Sequence, residues 1–193
     1  MVELATTRLR EIARITGRDS ILIAARHGRG KTMTDAAADK VGALLDATKA
    51  LGGIAAAHAL IGGVAVGIHS GFPRATVDVD IAVDSTVERT VLVTAMTGQG
   101  FRLVGEFPHS VNFRHASGEP VQLALDISFD AMIARAESVQ LEGQPIRIVC
   151  KQDLIDMKRS AAEDPARRKS KALRDQADVE LLMGDVPDPD EGW

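Results

Sequence analysis

"LIGGVAVGIHSGFPRATVDVDIAVD", residues 60–84, carries a glycine pair behind one apolar run and two aspartates inside another. The stretch reads as a strand through Ile61, a turn at Gly62 and Gly63, a short helix to about Ser70, a second turn over Gly71–Pro73 and a strand from Val77 to Val83. Side chains alternate along a strand, so Asp78 and Asp80 project together, roughly 6 to 7 Å apart, while Val77, Val79 and Ile81 point the other way. Two carboxylates so placed repel each other unless a cation or a donor offsets them. Mg²⁺ suits the pair, being a hard ion that takes one or two carboxylates and completes its shell with water and substrate phosphates. An exposed edge strand with solvated aspartates is the plain alternative.

The glycines extend the reading. Gly62 and Gly63 let the backbone approach a ligand closely, and a helix starting at Val64 points its positive end at a phosphate. Arg74 and Thr76, just before the aspartates, are placed to contact a phosphate or to brace the turn. A third acid is expected on a neighbouring strand, and "VQLALDISF" offers Asp126 in an otherwise apolar run. Three carboxylates, Asp78, Asp80 and Asp126, would hold two metals of the kind that serve phosphoryl and nucleotidyl transfer. Asp130 reads as the cap of the next helix.

Outward from this stretch, Leu4, Leu9, Ile12 and Ile15 at near-helical spacing predict a first helix that Gly17 closes, followed by a strand "SILIAA". "MTDAAADKVGALLDATKALGG" predicts an alanine-rich helix that Gly52 and Gly53 stop. Downstream, Ser85 is placed to cap a helix to about Thr97; three strands follow in "FRLVGEF", "SVNFRHA" and "PVQLALDISF", then a short helix over 131–136 and a hairpin "SVQL"/"PIRIV" across "EGQ". The last third reads as two helices, "KQDLIDMKRSAA" and one that Pro165 begins and that reaches Met183, before an acidic tail expected to be disordered. Strands in mixed order with helices at both ends define an α+β fold, a mixed β-sheet flanked by helices.

Composition narrows the classes. The chain has 193 residues, enough to bury one real core; 45% are apolar, 26% charged and only 3% aromatic, so the core is expected to be Ala, Val, Ile and Leu. A formal charge of -4 argues against a protein that coats nucleic acid through overall charge. Cys150 is the single cysteine, which excludes an internal disulfide and fits a reducing, cytoplasmic setting. No apolar run spans a bilayer.

A second phosphate-binding pattern competes with the first. "ARHGRGKT", residues 25–32, fits the loose A/G-x-x-x-x-G-K-S/T loop after the expected strand "SILIAA", with Lys31 and Thr32 in the phosphate and Mg²⁺ positions. It starts with Ala25 rather than Gly, lacks a nearby second strand ending in Asp, and stands in a chain whose later strands read as antiparallel. An exposed basic turn is the simpler account.

Glycine pair, short helix, D-x-D and a later strand acid, in that order, resemble the polymerase-beta-like nucleotidyltransferases. "IGGVAVGIHSGFPRATVDVDIAV" is similar to the branch with G-G and R-x-T-x-D-x-D, which includes abortive-infection-type nucleotidyltransferase toxins and small antibiotic nucleotidyltransferases. The tail "KQDLIDMKRSAAEDPARRKSKALRDQADVELL" resembles the same branch through D-L-I-x-x-K and D-x-x-D, although "RRKSKALRD" stands where a tighter R-x-K-D is usual. The resemblance covers roughly residues 54–183 and implies a nucleotidyltransferase using Mg²⁺ and an NTP such as ATP, moving a nucleoside monophosphate to a hydroxyl of a small molecule, a tRNA end or a protein. It implies Asp78, Asp80 and Asp126 as catalytic and metal-binding residues, with Asp126 as a general base, and Gly62, Gly63, Arg74, Thr76 and Lys158 as nucleotide-binding. Asp175 and Asp178 match D-x-x-D and read as structural. The implied organisation is a helical segment 1–53, a core 54–150, helices 151–184 and a tail 185–193. A catalytically degenerate binding module of a toxin–antitoxin system, with a cognate antitoxin as partner, is the alternative. Arg167, Arg168, Lys169, Lys171 and Arg174 form the strongest basic cluster, where an RNA acceptor's backbone would lie.

Overall fold

A computed structural model describes residues 2–26 and 39–185, with side chains described for 5–17 and 39–185. The strands of these residues form one mixed sheet, built from β1 (His58–Ile61), β2 (Val79–Val83), β3 (Arg102–Phe107), β4 (Ser110–Arg114), β5 (Pro120–Ala124), β6 (Glu137–Leu141) and β7 (Gln144–Ile148). Their spatial order is β3-β4-β5-β2-β1-β7-β6. β1 pairs antiparallel with β2 and parallel with β7, and β2 pairs parallel with β5; the outer pairs are antiparallel.

β2 therefore sits in the middle of the sheet. Val79, Ile81, Ala82 and Val83 are all at most 1% exposed, so both faces of this strand are covered and only Asp80 opens to the outside. Beside β1 and β2 lies α3 (Gly62–Ser70), whose residues 62–68 are all buried. A helix apolar all round belongs inside, and α3 packs against α1 (Val2–Arg26), α6 (Lys151–Glu163) and α7 (Lys169–Met183). α2 (Lys40–Gly53) contacts α4 (Arg89–Gly98), β2 and β7, while α1 also lies along β6 and covers that edge.

Several local expectations change. "SILIAA" is not a strand: α1 runs unbroken to Arg26, because Gly17 costs a helix only about 1 kcal/mol and a short apolar run with Leu and Ala suits either state. A helix, not a strand, thus leads towards "ARHGRGKT", and Lys31 and Thr32 lie outside the described residues. So does the first part of the alanine-rich helix; what is described begins at Lys40, with the Asp39 side chain accepting the Gly42 N–H. Gly62 and Gly63 form no separate turn but are the first residues of α3. Ser85 does not cap α4, which starts after Glu88; its N–H and hydroxyl bind the Asp130 carboxylate at 2.9 and 2.7 Å, so Asp130, the first residue of α5 (Asp130–Ala134), ties that helix to the end of β2. Pro165 lies in the connection before α7, which begins at Lys169. Residues 186–193 of the acidic tail lie outside the described residues. Among the described residues no helix is long and apolar enough to cross a membrane.

Candidate functional site

Asp78 and Asp80 stand at the N-terminal end of β2, Asp78 just ahead of the first strand residue. Their carboxylates line a cleft of about 780 Å³, together with Gly63, Arg74, Thr76, Gln122 and Lys158 among others. Among the described residues neither aspartate has an ion pair or a side-chain hydrogen bond. Burial, and then the neighbouring charge of Asp78, push the Asp80 carboxyl up to about 7; Lys158, Lys40 and Lys171 pull it part of the way back.

The glycine pair meets these acids directly. Gly62 has φ +70°, a left-handed conformation that side chains resist, and a Cβ at this position would collide with the Asp80 carboxylate. At Gly63 a Cβ would stand 2.6 Å from Thr76 Oγ1 and 3.2 Å from Arg74 Nη2. Absence of both side chains lets Asp80, Thr76 and Arg74 close onto the first turn of α3, whose N–H groups have no acceptor within the helix. A phosphate held there would meet the Asp80 carboxylate and the helix dipole together.

The opposite wall comes from α6 and α7. Arg74 grips Asp178 with a two-pronged bond, Nε–Oδ1 and Nη2–Oδ2 both 2.6 Å, and Lys158 Nζ lies 2.8 Å from Asp175 and 2.9 Å from Asp178. Arg167 closes the network on Asp175 at 2.6 Å. Asp178 is 0% and Asp175 2% exposed; burial alone would raise the Asp175 carboxyl, but Lys158 and Arg167 hold it below the usual range. These two acids act as posts for cations. Lys158 keeps a third proton and Arg74 an N–H on each terminal nitrogen for the cleft. Lys171 and Arg174 also line the cleft and are exposed, with no acid partner among the described residues; Arg168 and Lys169 of the same basic cluster stay outside the lining.

Asp126 does not join the site. β5 ends at Ala124, and the register pairs Asp80 with Gln122 and Ala82 with Ala124, which carries Asp126 on to the far end of the strand pair, near Asp84. At about 3.3 Å per residue the four-residue offset from Gln122 is roughly 13 Å. There Asp126 accepts the Ser128 N–H at 2.9 Å, heading a 3-10 turn over Ile127–Phe129, and lies 3.0 Å from His109 Nδ1. Its carboxyl is held low chiefly by the Ser128 hydrogen bonds. Among the described residues no three acids, histidines or cysteines converge as a metal cluster. The acid alternation in "VQLALD" pointed to the one aspartate in the run, but the polar residue that register places beside Asp80 is Gln122. Asp178, Asp175 and Arg167 supply the framework of the wall, and Thr16 of α1 also lines the cleft, a contribution that the pattern of residues 1–53 did not signal.

No protein-family model matches the chain, and no curated protein matches it in sequence. Solved structures do match. An antigenic nucleotidyltransferase-like protein from Paracoccidioides brasiliensis superposes with a TM-score of 0.54 at 21% identity, covering 78% of each chain. ANT(2'')-Ia in complex with adenylyl-2''-tobramycin gives 0.52 at 18% identity over 76% of this chain and 90% of its own. The lincosamide antibiotic adenylyltransferase LnuA, bound to lincomycin, gives 0.53 at 13% identity, over 77% and 98%. The fold of this chain is a nucleotidyltransferase fold.

Proposed function

We propose that the cleft binds an NTP with Mg²⁺ and that the protein transfers the nucleoside monophosphate to a hydroxyl acceptor. One observation carries this reading: two carboxylates without partners among the described residues, Asp78 and Asp80, line one cleft, Asp80 against a glycine-opened helix N-terminus and both with a wall of cations. Two carboxylates at one strand end fit Mg²⁺, which asks for no more from the protein when phosphates complete its shell. Bound there, the ion supplies charge neutralisation on the phosphate oxygens. The first turn of α3 and Arg74 hold the phosphate nearest Asp80, while Lys158, Lys171 and Arg174 meet the remaining phosphate charge. The new bond joins the acceptor oxygen to the α-phosphorus, the bond to the β-phosphate breaks, pyrophosphate leaves with the electron pair, and the acceptor proton passes to water. Holding the two reactants in line is the chain's main work.

The linked order of Gly62-Gly63, Arg74, Thr76, Asp78, Asp80, Lys158, Asp175 and Asp178 supports the abortive-infection-type branch, for which a cognate antitoxin is the expected partner. Incubation with Mg²⁺ and α-labelled NTPs against three acceptor pools, small hydroxyl compounds, tRNA and protein, tests the reading. Label transfer lost in Asp78→Asn supports it; a wild type that neither binds Mg²⁺·NTP nor transfers label refutes it.

Gln122 beside Asp80 favours a second reading, a nucleotide-binding module without transfer. In that case wild type binds Mg²⁺·NTP but transfers nothing, and Gln122→Asp, which supplies a third carboxylate, gains transfer activity.

A further inference from the structure

Asp80 belongs to the ladder of β2, but Asp78 precedes it, and the segment from Phe72 to Val77 is neither helix nor strand. Something other than the sheet must fix the Asp78 backbone. Two side chains from the N-terminal helices do so. The Thr16 hydroxyl, on α1, accepts the Thr76 N–H at 3.2 Å and shares its own proton between the carbonyls of Ile12 at 2.8 Å and Thr76 at 3.2 Å. Lys40, the first residue of α2 and 1% exposed, donates to the Val77 carbonyl at 3.2 Å and forms a buried ion pair with Glu119, itself 1% exposed and the residue just ahead of β5.

The placement is specific. β2 and β5 run parallel, with Val79 beside Val121, so Lys40 ties together their N-terminal ends, the end at which Asp78, Asp80 and Gln122 stand. A buried lysine is an expensive way to fill a core, since burying the ammonium costs several kcal/mol that only well-formed partners offset. Its partners here are a carboxylate and the carbonyl one residue before Asp78.

We propose that Thr16 and Lys40 are positioning residues for Asp78: they clamp the backbone of Thr76–Val77 so that the carboxylate faces the cleft, which makes the N-terminal helices part of the metal site. The inference rests on the nucleotide and metal reading of the cleft. Groups that orient a metal ligand from behind typically change metal affinity by about 10- to 100-fold when removed.

Mn²⁺ and ATP are the probes, titrated separately and together with the full-length chain. Thr16→Val keeps shape and removes the hydroxyl; it weakens Mn²⁺ in the presence of ATP by roughly 3- to 10-fold, the size of one hydrogen bond, and weakens metal-free ATP binding by less. Thr16→Ser returns to the wild-type value. Lys40→Met alone would strand a buried Glu119, so the paired variant Lys40→Met/Glu119→Leu is used, with an expected loss of about 10- to 100-fold. Hydrogen exchange over residues 74–78 is read in parallel and is faster in both variants whether or not metal is present. Wild-type Mn²⁺ affinity in the variants, equal loss of metal-dependent and metal-free ATP binding, or unchanged exchange over 74–78 each overturns the inference. A wild type that binds neither probe while exchange responds as expected overturns only the nucleotide reading.

Discussion

Gln122 of β5 is the register partner of Asp80 of β2, and the acid that follows it in sequence, Asp126, lies at the other end of the same strand pair. Asp126→Ala is therefore expected to leave Mn²⁺ and NTP binding at wild-type values. Its cost falls on stability, about 1 kcal/mol through loss of the cap on Ser128, read by denaturant unfolding.

On the metal reading of the cleft, Asp80 is expected to make metal binding pH-dependent. Its folded pKa of about 7 lies above the ordinary carboxyl value, so the native state keeps a proton that the unfolded chain has lost. Without metal, this group's contribution to stability is neutral in acid and turns unfavourable as the pH climbs towards 7. Metal needs the ionised form, so Mn²⁺ affinity should rise between about pH 6 and 8 with release of a proton. Calorimetry in buffers of different ionisation enthalpy checks this, and a flat profile would contradict it. Asp80→Asn should abolish the metal response while raising the metal-free melting temperature above neutral pH by roughly 2 to 4 °C, the equivalent of about 1 kcal/mol.

The glycine pair separates two kinds of damage. Gly62→Ala must adopt φ +70° with a side chain and collide with Asp80, so it should cost about 1 to 2 kcal/mol for the backbone alone and remove metal-dependent NTP binding as well. Gly63→Ala has an ordinary backbone and pushes on Thr76 and Arg74, so its main effect should be on NTP affinity, measured by titration at fixed metal.

Asp178 holds the cation wall. Fully buried and bonded to Arg74 and Lys158, it cannot be removed without stranding the Arg74 charge and leaving Lys158 on Asp175 alone; Asp178→Ala is expected to destabilise the protein by about 3 to 5 kcal/mol. If thermal unfolding shows a change no larger than at an exposed aspartate such as Asp156, the network carries no stability.

The site was legible where the chemistry is local. A glycine pair and a D-x-D sit within one stretch of 19 residues, Gly62 to Asp80, and their side-chain types carry their own meaning. Lys158 entered through its match to the D-L-I-x-x-K of the resembled branch, which gave no reason for it to point inward; that reason is the charge of Asp175 and Asp178 from another helix. Asp126 misled because strand register is decided by pairing, and a run such as "VQLALD" carries no mark of which of its residues faces Asp80. "SILIAA" misled for a related reason: six apolar and small residues satisfy a strand or a helix equally, and continuation of α1 decided between them. Thr16 and Lys40 left no trace in the pattern, since a threonine in a helix and a lysine at its start are ordinary there.

Arg74 and its acceptor Asp178 are 104 residues apart. On the ribosome the two aspartates, the glycine pair, Arg74 and the sheet around them emerge long before α7, so the growing chain carries Arg74 and Lys158 before it carries the acids, Asp175 and Asp178, that hold them in place. On the nucleotide reading of the cleft, chains stalled short of α7 should fail to retain ATP, and chains that carry α7 should retain it.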